Sequence, residues 1–151
     1  MESIHQAWQS TGDDAWLASQ LPAMEKALHY AMSSDIRWSS LHQLVKRPFG
    51  IDTWDFAYNP RGKYKRESYG DIDEHTTYCI MHGDNSGMYQ ATNHLAKLYR
   101  HLGRSERADY WQSVATGFRE RTNRLCWNGN FYTHQIHIDP VEVEGVDERD
   151  S

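Results

Sequence analysis

Cysteine is scarce in this chain of 151 residues: Cys79 and Cys126 stand far apart and form no CxxC pattern. That argues against a disulfide framework and a structural zinc motif, and it fits a reducing compartment. Long apolar runs are also missing. No stretch approaches the ~18 apolar residues that a membrane span needs, and the N-terminal "MESIHQAWQSTGDD" lacks the basic flank and apolar stretch of a signal peptide. A soluble, cytoplasmic protein with no membrane partner is expected. Positive charge is not in excess: 21 Asp+Glu against 16 Lys+Arg give a net charge of -5, which offers no general attraction to nucleic acid. Neither a Gly-rich phosphate loop nor a GxSxG nucleophile motif occurs. The chain has 9 histidines, but their spacing fixes no ligand set. His134 and His137 are three apart in an expected strand and so face opposite sides, while His75 and His82 lie in irregular sequence without a third ligand. No metal and no other cofactor is expected, and His94 and His101 read as surface residues beside a helical stripe.

Aromatic side chains, by contrast, are plentiful. The 6 Trp, 9 Tyr and 4 Phe make up 13% of the chain, and several stand among polar residues rather than at core spacing. Amphipathic rings in polar loops form ligand surfaces. The competing reading is that they close the ends of the core.

The length suits one domain, residues 1–151, with a real hydrophobic core. Three segments carry a helical period. In "DDAWLASQLPAMEKALHYAM" the stripe is Leu17, Leu21, Met24, Leu28 and Ala31, with Asp13 or Asp14 as cap and a kink or restart expected near Ser19 to Leu21 because of Pro22. In "NSGMYQATNHLAKLYRHL" it is Met88, Ala91, Leu95, Leu98 and Leu102, ended by Gly103. From Ser105 it is Ala108, Trp111, Ala115, Phe118, Thr122 and Leu125, stopped by Asn128 and Gly129. The joint "YRHLGRSERADYWQ" predicts an antiparallel helical hairpin, and "AWQSTGDDAWLASQ" looks like a second copy of it. The fold class is therefore mainly α, built of antiparallel helical hairpins. A long aromatic-rich loop runs from about Ser33 to Gly83, and "GNFYTHQIHID" forms a short β element near the C-terminus.

Two motifs carry candidate chemistry. If "FGIDTWDFAYNPRG" is extended, Asp52, Trp54, Phe56 and Tyr58 share one face, with Asp55 on the other. Rings that stack on a sugar and carboxyl groups that act on its glycosidic bond are what such a face could supply; a turn or cap with core rings is the alternative. In "MHGDNSGMYQA", Asp84, Asn85 and Ser86 crowd the start of a helix, with His82 just before them. One cap needs only one such residue.

With these stretches in view, "GIDTWDF", "HGDNSGMYQATNHLAKLYRHLG" and "WQSVATGFRERTNRLCWNGNFY" resemble the six-hairpin glycosidases, whose catalytic domain is an (α/α)6 toroid. Relatives include family 63 glucosidases, trehalases and glycogen-debranching glucosidases. The resemblance covers about Asp14 to Phe131. It implies a glycoside hydrolase-like domain acting on a carbohydrate by an inverting mechanism. Asp84 corresponds to the catalytic acid of a "DNS" motif, and Asp52 or Asp55 of "DTWDF" competes for that role. It also implies substrate contacts from Trp54, Phe56, Tyr58, Asn85 and His82. Here His82-Gly83 precede the aspartate, and Gly87 follows Ser86 where relatives often carry Pro. A toroid has twelve helices, which at ~11–12 residues each plus connections exceed this length. A partial barrel, lacking the base that comes later in the relatives, is the expectation.

The alternatives are a helical-repeat protein-binding module, because "LAKLYRHLGRSERADYWQSVA" also resembles a tetratricopeptide-type hairpin, and a carbohydrate-binding protein without catalysis. No further copy occurs at the ~34-residue period that the first requires. Helical hairpins that lack lateral neighbours leave apolar flanks open. The isolated chain is therefore expected to self-associate through exposed helix faces at micromolar concentration. Sedimentation combined with thermal melting checks this, and a sharply melting monomer would count against it.

Overall fold

A computed structural model describes residues 2–48 and 78–138, and in it two glycines with positive φ divide the helices into pairs. Gly12 (φ 64°) separates α1 (Glu2–Thr11) from α2 (Asp14–Ser33), and Gly103 (φ 72°) separates α3 (His82–His101) from α4 (Ser105–Cys126). Left-handed backbone costs an L side chain roughly 1–2 kcal/mol, so these reversals favour glycine. After α3, the Gly103 N–H donates to the Arg100 carbonyl at 3.1 Å and the Arg104 N–H to the Tyr99 carbonyl at 2.9 Å, a Schellman closure. Asp13 caps α2, accepting from the Trp16 N–H at 2.9 Å. The first joint closes differently, by a single bond from the Gly12 N–H to the Trp8 carbonyl at 2.7 Å, and only α3 and α4 pack along their length as an antiparallel hairpin.

The stripes face the core as their period requires. Leu17, Leu21, Met24 and Leu28 of α2 are buried with Leu95, Ala96, Leu98 and Tyr99 of α3 and Ala108 and Trp111 of α4. A second cluster of Leu44, Ile80 and Phe118 lies against the strands, and Met32, Met88 and Val114 touch both. The expected restart at Pro22 is absent, because α2 runs unbroken through it. Pro22 lies on the exposed face, where water can meet the carbonyl it frees, and the buried leucines on the other face hold the helix together.

The segment from Ser33 to Gly83 is not the plain loop its composition predicts. Among the described residues it contains β1 (Trp38–Ser39), β2 (Leu44–Val45), β3 (Arg47–Pro48) and β4 (Tyr78–Met81). The first two pair with each other. The others join β5 (Gln135–His137) in an antiparallel sheet of order β3-β4-β5. Strands this short show no alternation, and β4 is buried at Cys79, Ile80 and Met81 in succession, a pattern that periodicity cannot separate from a buried helix. The fold among the described residues is mainly helical with short antiparallel strands, and no described helix is long and apolar enough to cross a membrane.

α1 has no buried residue. Ile4 and Trp8 cover part of the first cluster, and the Trp8 indole donates to Asp14 at 2.9 Å, a carboxylate that also meets His101 at 2.9 Å. His94 is no plain surface residue, since its side chain is only 18% exposed and faces Glu2.

Glu25 ties α2 to the α3–α4 hairpin. Its carboxylate accepts from the buried Trp111 indole at 2.7 Å and from the Arg107 guanidinium. Burial pushes this carboxyl up, but hydrogen bonds from Trp111, Arg107 and Tyr99 and the Arg107 charge outweigh it and leave it below its ordinary 4.5. Glu25→Ala strands the Trp111 donor inside the core and is expected to cost about 2–3 kcal/mol in denaturant unfolding at neutral pH. The depressed value means this stabilisation is complete above pH 4.5 and is lost as pH falls through the lower folded-state value. Wild type and Glu25→Gln should therefore converge in stability in acid, and a constant gap between them at every pH would contradict the assignment.

Candidate functional site

α3 begins three residues before Asn85, at His82, with Met81 at the cap position and no side-chain cap. Asp84, Asn85 and Ser86 are therefore helical residues rather than capping groups. At about 100° per residue, His82, Asn85, Ser86 and Tyr89 fall on one face of α3 and Asp84 on another.

Asn85 is fully buried. Its Oδ1 accepts from the Val45 N–H at 2.9 Å, and its Nδ2 donates to the Val45 carbonyl at 3.0 Å and the Met81 carbonyl at 2.9 Å. Val45 pairs with Trp38 on one edge, and alternate residues of an antiparallel pair turn their backbone groups outward. The Asn85 amide meets that outward pair as a neighbouring strand would.

A cavity of about 260 Å³ opens beside this anchor, lined by His82, Asn85, Ser86, Tyr89, Arg119, Thr122, Asn123 and Tyr132. Three elements converge on it. The antiparallel hairpin brings the N-terminal turn of α3 beside the C-terminal half of α4, whose Arg119, Thr122 and Asn123 share a face at i, i+3 and i+4. The chain leaving α4 then turns back, with Asn128 Oδ1 accepting from the Asn130 and Phe131 N–H groups at 3.0 Å each. Trp127 bridges to Tyr132 across that turn. The Tyr132 ring stacks on His82 at 4.4 Å, its hydroxyl donates to Asn123 Oδ1 at 2.9 Å, and the His82 N–H is held by the His134 carbonyl at 2.9 Å. Trp127, Phe131 and Tyr132 remain 47%, 56% and 40% exposed around this hairpin.

The structure brings His82 and Asn85, both expected at the site, to one cavity. Both Asn85 N–H groups are committed to backbone carbonyls, so what it contributes to the wall is chiefly position. Asp84 does not line the cavity; it pairs with Arg47 of β3 at 3.5 Å, its side chain 37% exposed. Asp52, Trp54, Asp55, Phe56 and Tyr58 lie outside the described residues. Sequence reasoning missed Arg119, Thr122, Asn123 and Tyr132. The signal for the first three is the polar run "RERTN" late in α4, where one face turns hydrophilic before the aromatic turn that carries Tyr132.

Among the described residues no carboxylate lines the cavity, and its wall is one of rings, hydroxyls, two amides and a guanidinium. The Thr122 hydroxyl is buried there without a hydrogen-bond partner among the described residues, a rare condition that a bound polar ligand or water relieves. Such a wall suits hydrogen-bonded recognition of a compact ring rather than proton transfer. Comparison with protein-family models, curated proteins and solved structures finds no match for this chain. The site's own geometry therefore carries the interpretation.

If the Asn85 amide is the anchor described, Asn85→Ala leaves the buried Val45 N–H and carbonyl without partners, opens a cavity beside them and should cost about 3 kcal/mol or more. Ser86→Ala removes only a half-buried contact with His82 at 3.3 Å and should cost less than about 1 kcal/mol. Urea unfolding of the two variants checks the contrast, and equal losses would contradict the anchor.

Proposed function

We propose that this chain is a glycoside hydrolase-like domain, part of an (α/α)6 toroid, that binds a carbohydrate in the cavity between α3, α4 and the Trp127–Tyr132 turn. The observation that carries the reading is the composition of that cavity. A volume of about 260 Å³, slightly under the ~300–1,000 Å³ of small-molecule sites, suits one sugar ring. The rings of Tyr89, His82 and Tyr132 in its wall offer faces for the apolar side of the sugar, and Arg119, Asn123 and Ser86 offer polar groups for its hydroxyls.

In the hydrolytic version, Asp84 is the acid that protonates the glycosidic oxygen, with Asp52 and Asp55 next in line. The base on the opposite face belongs to a carboxylate roughly 6.5–9.5 Å from the acid. Asp84 pairs with Arg47 on another face of α3 and does not line the cavity, so protonating a sugar held there requires a rearrangement of that side chain. That observation favours the second reading, a carbohydrate-binding protein without catalysis. The helical-repeat alternative has less support, because strands separate the two helical hairpins.

Titration of the protein with mono- and disaccharides, followed by tryptophan fluorescence from Trp127 beside the cavity, tests the binding. Saturable quenching is expected. Tyr132→Ala should weaken it about tenfold, the loss of a stacking ring and of the bond that orients Asn123. Glycoside turnover that Asp84→Asn abolishes supports the hydrolytic version, and binding without turnover supports the second reading. Failure of every sugar to bind, with peptides binding instead, would remove the carbohydrate assignment.

A further inference from the structure

Away from the cavity, α1 and α3 bring together a donor set that sequence spacing does not reveal. Glu2 and His5 stand at i and i+3 on α1 and so share a face. His94, about 18 Å along α3 from His82 at 1.5 Å per residue, meets them from across the helix contact. One ligand atom from each of the three side chains lies within 4.8 Å of the other two. We propose that Glu2, His5 and His94 form a site for a divalent transition-metal ion of the zinc class, which clips α1 to α3.

The geometry is close to what such an ion needs. Bonds of about 2.0–2.2 Å to imidazole nitrogen and carboxylate oxygen arranged tetrahedrally place neighbouring ligand atoms about 3.3–3.5 Å apart. His94 Nδ1 and Glu2 Oε2 are already 3.3 Å apart. The His5 ring lies against the His94 ring at 4.9 Å, so a small rotation of a half-buried side chain closes the third edge. Two imidazoles and one carboxylate select zinc, cobalt or nickel over magnesium or calcium, which prefer all-oxygen shells. Three protein ligands leave a fourth position to solvent.

Burial is graded in a way that suits a clip. The His94 side chain is 18% exposed and rests on a packed helix, whereas that of Glu2 is 53% exposed and leaves an entry path. α1 has no buried residue, so it is the element whose attachment a bridging ion would strengthen most. Any ligand that binds the folded state alone adds its binding free energy to stability. The site is independent of the carbohydrate reading.

Zinc chloride titrated calorimetrically into chelator-treated protein, with parallel thermal melts, tests the proposal. One equivalent should bind and raise the melting temperature, excess magnesium should not compete, and cobalt should give the intense visible bands of a tetrahedral complex. Glu2→Ala and His5→Ala lie on a helix with no buried residue, so the fold survives them, and each should weaken zinc binding at least tenfold. His94→Gln should do the same, while His29→Ala, whose ring lies against Tyr110 and Trp111 away from α1, should leave it unaltered. No saturable binding, binding indifferent to Glu2→Ala and His5→Ala, or an equal loss in His29→Ala would each overturn the site.

Discussion

The arrangement around the cavity hangs on one buried amide. Asn85 offers two donors and an acceptor to the backbone of Val45 and Met81, and these are groups that neither β1 nor β3 pairs. Inside the protein an unpaired backbone donor or carbonyl costs on the order of 1–3 kcal/mol, so the strand edge cannot pack on α3 unless a side chain completes it. Few side chains can. Aspartate lacks the donors for two carbonyls, serine is too short to meet both groups of Val45, and an aliphatic residue meets none. The amide thereby sets where β2 lies, where β4 ends and where α3 begins, and the His82–Tyr132 stack is built on that starting point.

Glu25 has the same logic at another helix contact. The apolar stripes of α2, α3 and α4 specify which faces turn inward, but leucine against leucine tolerates sliding. A carboxylate that accepts from Trp111, Arg107 and Tyr99 at once does not. The two hydrophobic clusters thus share a boundary at Met32, Met88 and Val114, with a polar anchor beside each. Burial supplies most of the driving force, and the anchors select the register in which it is realised.

This division explains how much was legible beforehand. The stripes, a cap at Asp13 or its neighbour Asp14, the Gly103 turn and the short C-terminal strand follow from local periodicity and turn chemistry, which act over a few residues. The strands between α2 and α3 do not, because pairs of residues such as Leu44–Val45 carry no period and are held by partners distant in the chain. Asp84, Asn85 and Ser86 put more polar groups at a helix start than one cap needs. The same residue types serve as caps, ligand contacts or buried anchors, and only the position of Val45, forty residues earlier, distinguishes the third use. Arg119, Thr122 and Asn123 were hidden likewise, since a polar face late in a helix is ordinarily a solvated one.

The anchor also shapes what the cavity can recognise. With both Asn85 donors held by carbonyls, selectivity passes to groups that remain available: the Arg119 guanidinium, the Asn123 amide nitrogen and the Ser86 and Thr122 hydroxyls. The Tyr132 hydroxyl already occupies Asn123 Oδ1, which turns the nitrogen end of that amide into its free end. A wall whose uncommitted groups are mostly donors, set against stacked rings, complements a ligand rich in acceptor oxygens with an apolar face. For the ligand class proposed above, the lone pairs of sugar hydroxyl and ring oxygens would meet these donors and its C–H face the rings, while its hydroxyl protons would have to find the Ser86 and Thr122 oxygens.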